Sequence, residues 1–324
     1  MDPQTLPDLA AIRAAAARIA PHARRTPVLT SRSLDALAGC HLYFKCENLQ
    51  RAGAFKFRGA SNAVWSLDPA SAARGVVTQS SGNHGAALAL ACRERGIAAT
   101  VVVPANAPKV KLDAIAAFGA RIVPCAVAQA DRDRVTAQVL AEGGGCLVHP
   151  FDDGRVIAGQ GTATLELLEQ APEIDTVITP VSGGGLLSGA CLAGHGLRPD
   201  LRLFGAEPRG ASDAHDGLRA GQRITGRVAD TLCDGLRAEL GRLTFPVLRQ
   251  HLEAVLLVDD DATVAAMRLV FERLKLVVEP SAAIVLAAVL AEPARFAGRH
   301  VGLVLSGGNV DLDRLPWQAG GGPG

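Results

Sequence analysis

The chain has 324 residues, with 33 Lys and Arg against 32 Asp and Glu and a formal net charge of +1. A nucleic-acid-binding protein normally gathers a basic excess into a patch, and the sequence contains no such patch. The longest apolar run, residues 281–291, is shorter than the ~20 residues that cross a bilayer. The first residues lack the uninterrupted apolar core of a signal peptide. We therefore expect a cytoplasmic globular protein of about two domains, without a nucleic-acid or membrane partner.

Short β-branched runs alternate with helix-length amphipathic stretches from about residue 75 onward, each bounded by glycine or proline. The predicted strands are 76–78, 99–103, 121–123, 146–148, 176–181, 202–206, 254–258 and 300–305. The predicted helices are 85–95, 109–118, 131–142, 155–169, 186–194, 261–274 and 281–290. Apolar strands separated by helices indicate an α/β fold with parallel sheets covered by helices. Ligands of such folds bind beyond the carboxyl ends of the strands, so the loops there are candidate sites.

Seven cysteines are scattered singly along the chain, and none forms a C-x-x-C pair. They are Cys40, Cys46, Cys92, Cys125, Cys146, Cys191 and Cys233. Because zinc and redox sites normally need paired spacings, we expect reduced and mostly buried thiols.

The first candidate loop is residues 80–85, Ser-Ser-Gly-Asn-His-Gly, between a predicted strand and a predicted helix. Free N–H groups and the positive end of the helix favour an anion such as a carboxylate. An ordinary helix cap is the alternative, because serine and asparagine are common there.

Two further loops follow strands. Residues 181–186, Val-Ser-Gly-Gly-Gly-Leu, let the backbone approach a phosphate closely, although a flexible turn is the alternative. They precede a helix, whereas the glycines at 143–145 end one, which favours the phosphate interpretation. Residues 305–309, Leu-Ser-Gly-Gly-Asn, place Ser306 at the carboxyl end of a strand, where its hydroxyl can meet a ligand.

Lys56 lies between Phe55 and Phe57 in the segment 53–60. A desolvated ammonium has a lowered pKa, as a Schiff-base lysine requires, while a snorkelling helix lysine is the alternative. The lysine, a phosphate loop, a carboxylate loop and a serine on another strand together describe a site for an aldehyde–phosphate cofactor and an amino acid. That combination is typical of pyridoxal phosphate (PLP) chemistry.

These four ordered segments resemble the fold-type II PLP enzymes, specifically the threonine/serine dehydratase and serine racemase group. The resemblance extends from residues 26–28, Thr-Pro-Val, to residues 305–312. It implies the two-domain, parallel-sheet α/β fold of the tryptophan synthase β-like superfamily. Residues 1–50 and 150–324 would form a large PLP-binding domain and residues 51–149 a small mobile domain. It also implies a homodimer or homotetramer acting on a small amino-acid substrate.

The resemblance also implies roles for individual residues. Lys56 would form the Schiff base and act as base on one face of the substrate, and Ser306 would face the pyridine nitrogen. A neutral hydroxyl makes the ring a weaker electron sink, which favours prompt loss of a β-leaving group. The implied cofactor-binding residues are Phe55, Lys56, Asn83, Ser182, Gly183, Gly184, Gly185, Leu186 and Ser306. The implied substrate-binding residues are Ser80, Ser81, Asn83, His84 and Arg132. A solvated helix arginine remains the alternative for Arg132.

A divalent-cation site is implied as well. It would use the carboxylates of Glu207 and Asp213 and the carbonyl of Ala211, hard oxygen ligands that suit Mg²⁺, Mn²⁺ or Ca²⁺. Two solvated surface acids are the alternative.

Three positions depart from the pattern of the group. Ser182 takes the first of four usual glycines, Phe118 replaces a tyrosine of serine racemases, and Ala238 falls where a substrate-contacting serine is expected. The last two make the pocket less polar than that of a racemase. The chain also ends soon after the catalytic domain, so feedback by isoleucine through a regulatory domain is not expected.

The expected activity is β-elimination from a β-hydroxy amino acid such as L-threonine or L-serine, giving a 2-oxo acid and ammonia. In this reaction Lys56 would remove the proton from Cα. An amino-acid racemase for serine or aspartate, with Ser81 as catalytic residue on the face opposite Lys56, stays open. So does a dehydratase for 3-hydroxyaspartate or phenylserine. A binding protein that has kept the fold is disfavoured, because the lysine, both anion loops and the ring contact are all intact.

Overall fold

A computed structural model of the chain describes residues 1–80, 82–105, 107 and 109–318, without the side chains of residues 110, 111 and 129. Its strands are β1 (Val28–Leu29), β2 (His41–Lys45), β3 (Val76–Gln79), β4 (Ala99–Pro104), β5 (Arg121–Cys125), β6 (Cys146–Leu147), β7 (Thr176–Pro180), β8 (Arg202–Pro208), β9 (Ala254–Val258) and β10 (His300–Val304). Its helices are α1 (Leu9–Ile19), α2 (Arg32–Ala38), α3 (Lys56–Trp65), α4 (Pro69–Ala73), α5 (Asn83–Arg95), α6 (Lys109–Ala117), α7 (Gln129–Gly143), α8 (Gly154–Gln170), α9 (Gly185–Leu197), α10 (Asp213–Ala220), α11 (Thr244–His251), α12 (Asp260–Leu269), α13 (Pro280–Ala291) and α14 (Pro293–Phe296).

The strands form two sheets. One has six strands in the order β1-β2-β10-β7-β8-β9, and the other has four in the order β5-β4-β3-β6. Every pairing is parallel except that of β1 with β2. In the larger sheet Val301 lies opposite both Leu42 and Thr176, so β10 brings an N-terminal strand beside the second half of the chain. The predicted α/β fold with parallel sheets is confirmed.

Several helices are largely buried, and two of them belong to the cores of the two sheets. α13 is apolar from end to end and lies in the core of the six-stranded sheet. Pro280 occupies its first position, where a missing N–H costs nothing. α5 fills the equivalent place on the four-stranded sheet and ends at Gly96, whose φ of +72° favours glycine. Among the described residues, no helix combines the length and the hydropathy needed to cross a membrane.

Two aspects of the predicted element pattern need correction. The helix expected over 261–274 ends at Leu269 and continues as a π-helical turn, Val270–Leu274, which stops at Lys275 with φ +58°. The pattern before residue 75 also went unrecognised, although β2 pairs with β10 near the middle of the larger sheet. The cysteine prediction is confirmed, since all seven are described, unpaired and, except for the half-buried Cys146, buried.

The two sheets take their strands from different parts of the chain. The four-stranded sheet uses residues from Val76 to Leu147, and the strands of the larger sheet lie before and after that stretch. Domain boundaries at residues 50 and 150, and the motion of one domain against the other, stay predictions. What the topology establishes is that the carboxyl ends of β7 and β10 are neighbours.

Candidate active site

Two of the predicted loops and the start of α3 meet at the carboxyl edge of the six-stranded sheet. The glycine loop follows β7, and Ser306 follows the adjacent strand β10. The backbone N–H of Phe55 donates to the carbonyl of Ser306 at 2.9 Å, which fixes the start of α3 against the end of β10. Lys56, Ser306 and the glycine loop are thereby brought to one place.

Lys56 is the first residue of α3 and keeps part of its surface exposed. Its Nζ donates to the carbonyl of Pro150 at 3.0 Å and lies 5.2 Å from the centroid of the Phe55 ring. Burial of the ammonium lowers the pKa of Lys56 from 10.5 to about 8, against an opposing effect of the Glu279 carboxylate. Phe57 is fully buried in the core of the smaller sheet, so a single ring, not two, lies beside the ammonium.

The glycine loop has the shape of an anion cradle. A Cβ on Gly183 would lie 2.3 Å from the Phe151 ring, and one on Gly185 would lie 3.0 Å from the same residue. Gly184 has φ +89°, and α9 begins after it without a side-chain cap. Its first N–H groups are therefore available to a phosphate, while the side chain of Leu186 is buried in the core. This geometry fits the phosphate of PLP.

Asn83 is held by two residues from distant parts of the chain. Its Nδ2 donates to the two carboxylate oxygens of Glu279, at 2.9 and 3.2 Å, and its Oδ1 accepts from Nδ2 of Asn309 at 2.9 Å. These bonds fix the orientation of the amide beside the cofactor site. Glu279 is buried and was missed in the sequence, where an acid before a proline at a helix start suggests only a cap.

Two histidines lie near Lys56, and both are neutral. His84 is buried, and its pKa is well below 6.5 because of burial and, to a lesser degree, the charge of Lys56. His149 was not singled out in the sequence because no motif surrounds it. Burial lowers its pKa too, and its Nδ1 accepts the N–H of Asp152 at 3.0 Å. The proton of His149 is therefore on Nε2.

The remaining predicted substrate residues are placed less completely. Ser80 continues from β3, and its hydroxyl accepts the N–H of Gly82 at 3.2 Å. Ser81 lies outside the described residues. Arg132 is in the first turn of α7, whose neighbouring Asp133 accepts a hydrogen bond from Gln79 at the end of β3.

The guanidinium of Arg132 is only partly used by the protein. Nη2 donates to the carbonyl of Val127 at 3.3 Å, and the buried Nε has no hydrogen-bond partner within the described part of the chain. Arg132 thus lies in a helix turn whose next residue contacts the end of β3, and its contact with substrate stays a prediction.

The predicted cation ligands are not solvated surface acids. Glu207 is almost fully buried at the end of β8, and its two oxygens accept the N–H groups of Ala214 and His215 at 2.9 Å each. Burial raises the pKa of Glu207 to about 8 and that of Asp213 to about 6. The residues fit a hard cation through oxygen donors, including the carbonyl of buried Ala211.

That cation site would need ligands besides side chains. Within the described ranges, no group of three or more His, Cys, Asp or Glu side chains could hold a metal ion. A backbone carbonyl and water would have to complete the shell, so the cation stays a prediction.

Comparison with known proteins identifies the family. A family model described as "Pyridoxal-phosphate dependent enzyme" matches residues 19–307. The chain is 50% identical to a serine racemase of Arabidopsis thaliana over 96% of both chains. It is 47% identical to a β-hydroxyaspartate dehydratase of Paracoccus denitrificans, over 94% of this chain and 97% of the other. The structure of maize serine racemase superposes with a TM-score of 0.93 at 48% identity, over 97% of both chains. The chain therefore belongs to the pyridoxal-phosphate-dependent enzyme family.

Proposed function

We propose that this enzyme is a β-eliminating ammonia-lyase that converts a small β-hydroxy amino acid, such as L-serine, L-threonine or 3-hydroxyaspartate, to a 2-oxo acid and ammonia. The observation that carries the proposal is the environment of Lys56: a lowered pKa at the junction of the glycine loop, Ser306 and Asn83. The similarity to the Paracoccus β-hydroxyaspartate dehydratase supports elimination as the reaction class.

The protein's contribution to the chemistry follows from this environment. When bound, PLP supplies the electron sink that weakens the Cα–H bond of the substrate. The amine of Lys56, with a pKa of about 8, is partly neutral near pH 8 and can accept the Cα proton. The carbonyl of Pro150 then accepts a hydrogen bond from the resulting ammonium, as it does in this structure. The neighbouring histidines are neutral and add no positive charge there.

The substrate carboxylate would be held at the start of α5. This helix has 13 residues, its N-cap is Gly82, and no side chain caps it. Its first N–H groups are therefore free to bind an anion, together with the polar side chains of residues 80–84. Arg132, at the same edge, would decide whether a second carboxylate on the β-carbon is accepted.

The test is a substrate panel scored for 2-oxo acid and for D-amino acid in the same reaction. The wild-type enzyme should release 2-oxo acid from at least one β-hydroxy amino acid. The variant Lys56→Ala should lose both activity and the visible absorbance of the bound cofactor. Lys109→Ala is the matched control, because the side chain of Lys109 is 85% exposed on a helix of the smaller sheet. Retention of absorbance and activity in Lys56→Ala would refute the proposal.

A second candidate is an amino-acid racemase for serine or aspartate. The 50% identity to the Arabidopsis serine racemase favours it. In that case Ser81 would act on the substrate face opposite Lys56. Ser81→Ala should then abolish formation of the D-isomer while elimination of the L-isomer survives. Equal loss of both activities would count against separate roles for the two residues.

Three further predictions belong to the proposal. A divalent cation would bind at Glu207, Ala211 and Asp213. The unpaired thiols support a reducing location such as the cytoplasm. Association as a homodimer or homotetramer can be measured by sedimentation or light scattering.

A further inference from the structure

The hydroxyl of Ser182 makes hydrogen bonds to Ala238, 56 positions along the chain. It accepts the N–H of Ala238 at 3.0 Å and donates to the carbonyl of the same residue at 3.1 Å. One side chain thus satisfies both backbone groups of Ala238. A hydroxyl engaged in this way is committed to the protein and is not directed to the phosphate that the neighbouring glycines would bind.

Ala238 belongs to a loop, residues 234–241, that is attached to the glycine loop at a second point. The N–H of Gly241 donates to the carbonyl of Gly183 at 3.2 Å, and the hydroxyl of Thr244 donates to the same carbonyl at 2.8 Å. Ser182 and Gly183 therefore hold the end of this loop with both side-chain and backbone bonds.

Loop 234–241 has further attachments, to α13, to Asp213 and to residues 223–231. The N–H of Gly235 donates to Oγ of Ser281 at 3.1 Å, two residues beyond Glu279, which binds Asn83. The N–H of Leu240 donates to Oδ2 of Asp213 at 3.3 Å. The loop therefore extends from the Asn83 end of the cofactor site to its phosphate end, and four of its eight residues are exposed.

Resting on the proposed function, we propose that Ser182 is a positioning residue for the amino-acid substrate. Its hydroxyl holds loop 234–241 in the conformation that forms one wall of the substrate pocket. The backbone N–H groups of the glycine loop bind the cofactor phosphate without it. Glycine at this position would leave both backbone groups of Ala238 to water and so loosen the wall.

Hydrogen exchange in the holoenzyme tests the proposal directly. Ser182→Ala should speed exchange in the peptide that contains Ala238 by about tenfold, as loss of one protecting bond allows. Ser182→Thr keeps the hydroxyl and should restore protection. Ser66→Ala is the matched control. The hydroxyl of Ser66 also donates to a backbone carbonyl, that of Ala63, and both residues are distant in sequence from loop 234–241.

Steady-state kinetics and a PLP titration complete the test. In Ser182→Ala the KM for the amino acid should rise about fivefold, with kcat and the affinity for PLP changed less than about twofold. A matching loss of PLP affinity, or unchanged exchange at residue 238, would overturn the proposal. If no amino acid is turned over at all, the proposed function fails, and the exchange result with the PLP titration still decides the role of Ser182.

Discussion

The role proposed for Lys56 depends on how the surroundings of its amine change the pKa. Its side chain carries a charge in ordinary solution at neutral pH, yet burial brings its pKa to about 8. Near pH 7 about a tenth of such amines are neutral, compared with fewer than about one in a thousand at the usual pKa. Only the neutral amine can attack the cofactor aldehyde or remove a proton.

Cofactor uptake by the apoenzyme should consequently depend on pH. The rate at which the visible absorbance appears should rise about tenfold per pH unit up to about pH 8 and then level off. Stopped-flow spectroscopy from pH 6 to 10 measures it. Since Glu279 raises the pKa of Lys56, Glu279→Gln should move the midpoint lower. A midpoint near 10.5 in the wild type would contradict the burial of the amine.

The glycine loop makes a steric prediction at the same scale. Gly183→Ala should lower the affinity for PLP at least about tenfold, because the added Cβ would lie 2.3 Å from the Phe151 ring. Fluorescence titration of the apoenzyme measures the change. Gly143→Ala is the control: a Cβ there meets nothing within 4 Å, and alanine suits the end of α7 better than glycine. Equal PLP affinity of both variants would exclude a close cradle.

The helix that carries Lys56 is anchored by a buried ionic network. The Arg58 guanidinium is fully buried, with bonds of 2.7 and 2.8 Å to Glu47 and of 2.8 Å to each oxygen of Glu166. Lys45 also reaches Glu166, at 2.7 Å. Burial alone would lower the pKa of Arg58, but the two carboxylates raise it. The network joins β2, α3 and α8, and Arg58 follows Lys56 by two residues in α3.

Breaking this network should be costly. Arg58→Leu leaves the Glu47 carboxylate buried without its guanidinium, so the free energy of unfolding should fall by about 3–5 kcal/mol. Urea denaturation of the holoenzyme measures it. Arg25→Ala removes an ion pair of similar length, 2.9 Å, whose side chains are about half exposed, and should change stability by less than about 1 kcal/mol. Similar losses in both variants would show that burial adds nothing.

At the scale of elements, the strand-to-helix loops could be predicted because each carries a local signal. Glycines before a helix and polar residues after an apolar strand are visible in the sequence without any tertiary information. Glu279, Pro150 and His149 could not be found this way, because ordinary segments bring them to the site through packing. The first 75 residues were equally difficult, since β1 has two residues and β2 derives its place from β10.

The predicted cation site at the end of β8 concerns the stability of the whole molecule. If Glu207, Ala211 and Asp213 hold a divalent cation, a chelator should lower the melting temperature. A cation at a hundredfold excess over Kd contributes about 2.7 kcal/mol. Glu207→Ala should remove this response, whereas Glu253→Ala, at an exposed ion pair with Arg202, should keep it. Thermal unfolding with and without chelator decides, and an unresponsive wild type would refute the site.

The connection from β6 to α8 has a consequence for how the two sheets communicate. The carbonyl of Pro150 accepts a hydrogen bond from Nζ of Lys56, and Phe151 lies against the glycine loop. The carboxylate of Asp152 accepts hydrogen bonds from the N–H groups of Arg242 and Leu243, just before α11. The chain thus passes from one sheet to the other through the candidate active site. Residues 150–152 therefore connect Lys56, the glycine loop and α11 within three consecutive positions, and a shift of this connection would move the carbonyl that accepts a hydrogen bond from Nζ of Lys56.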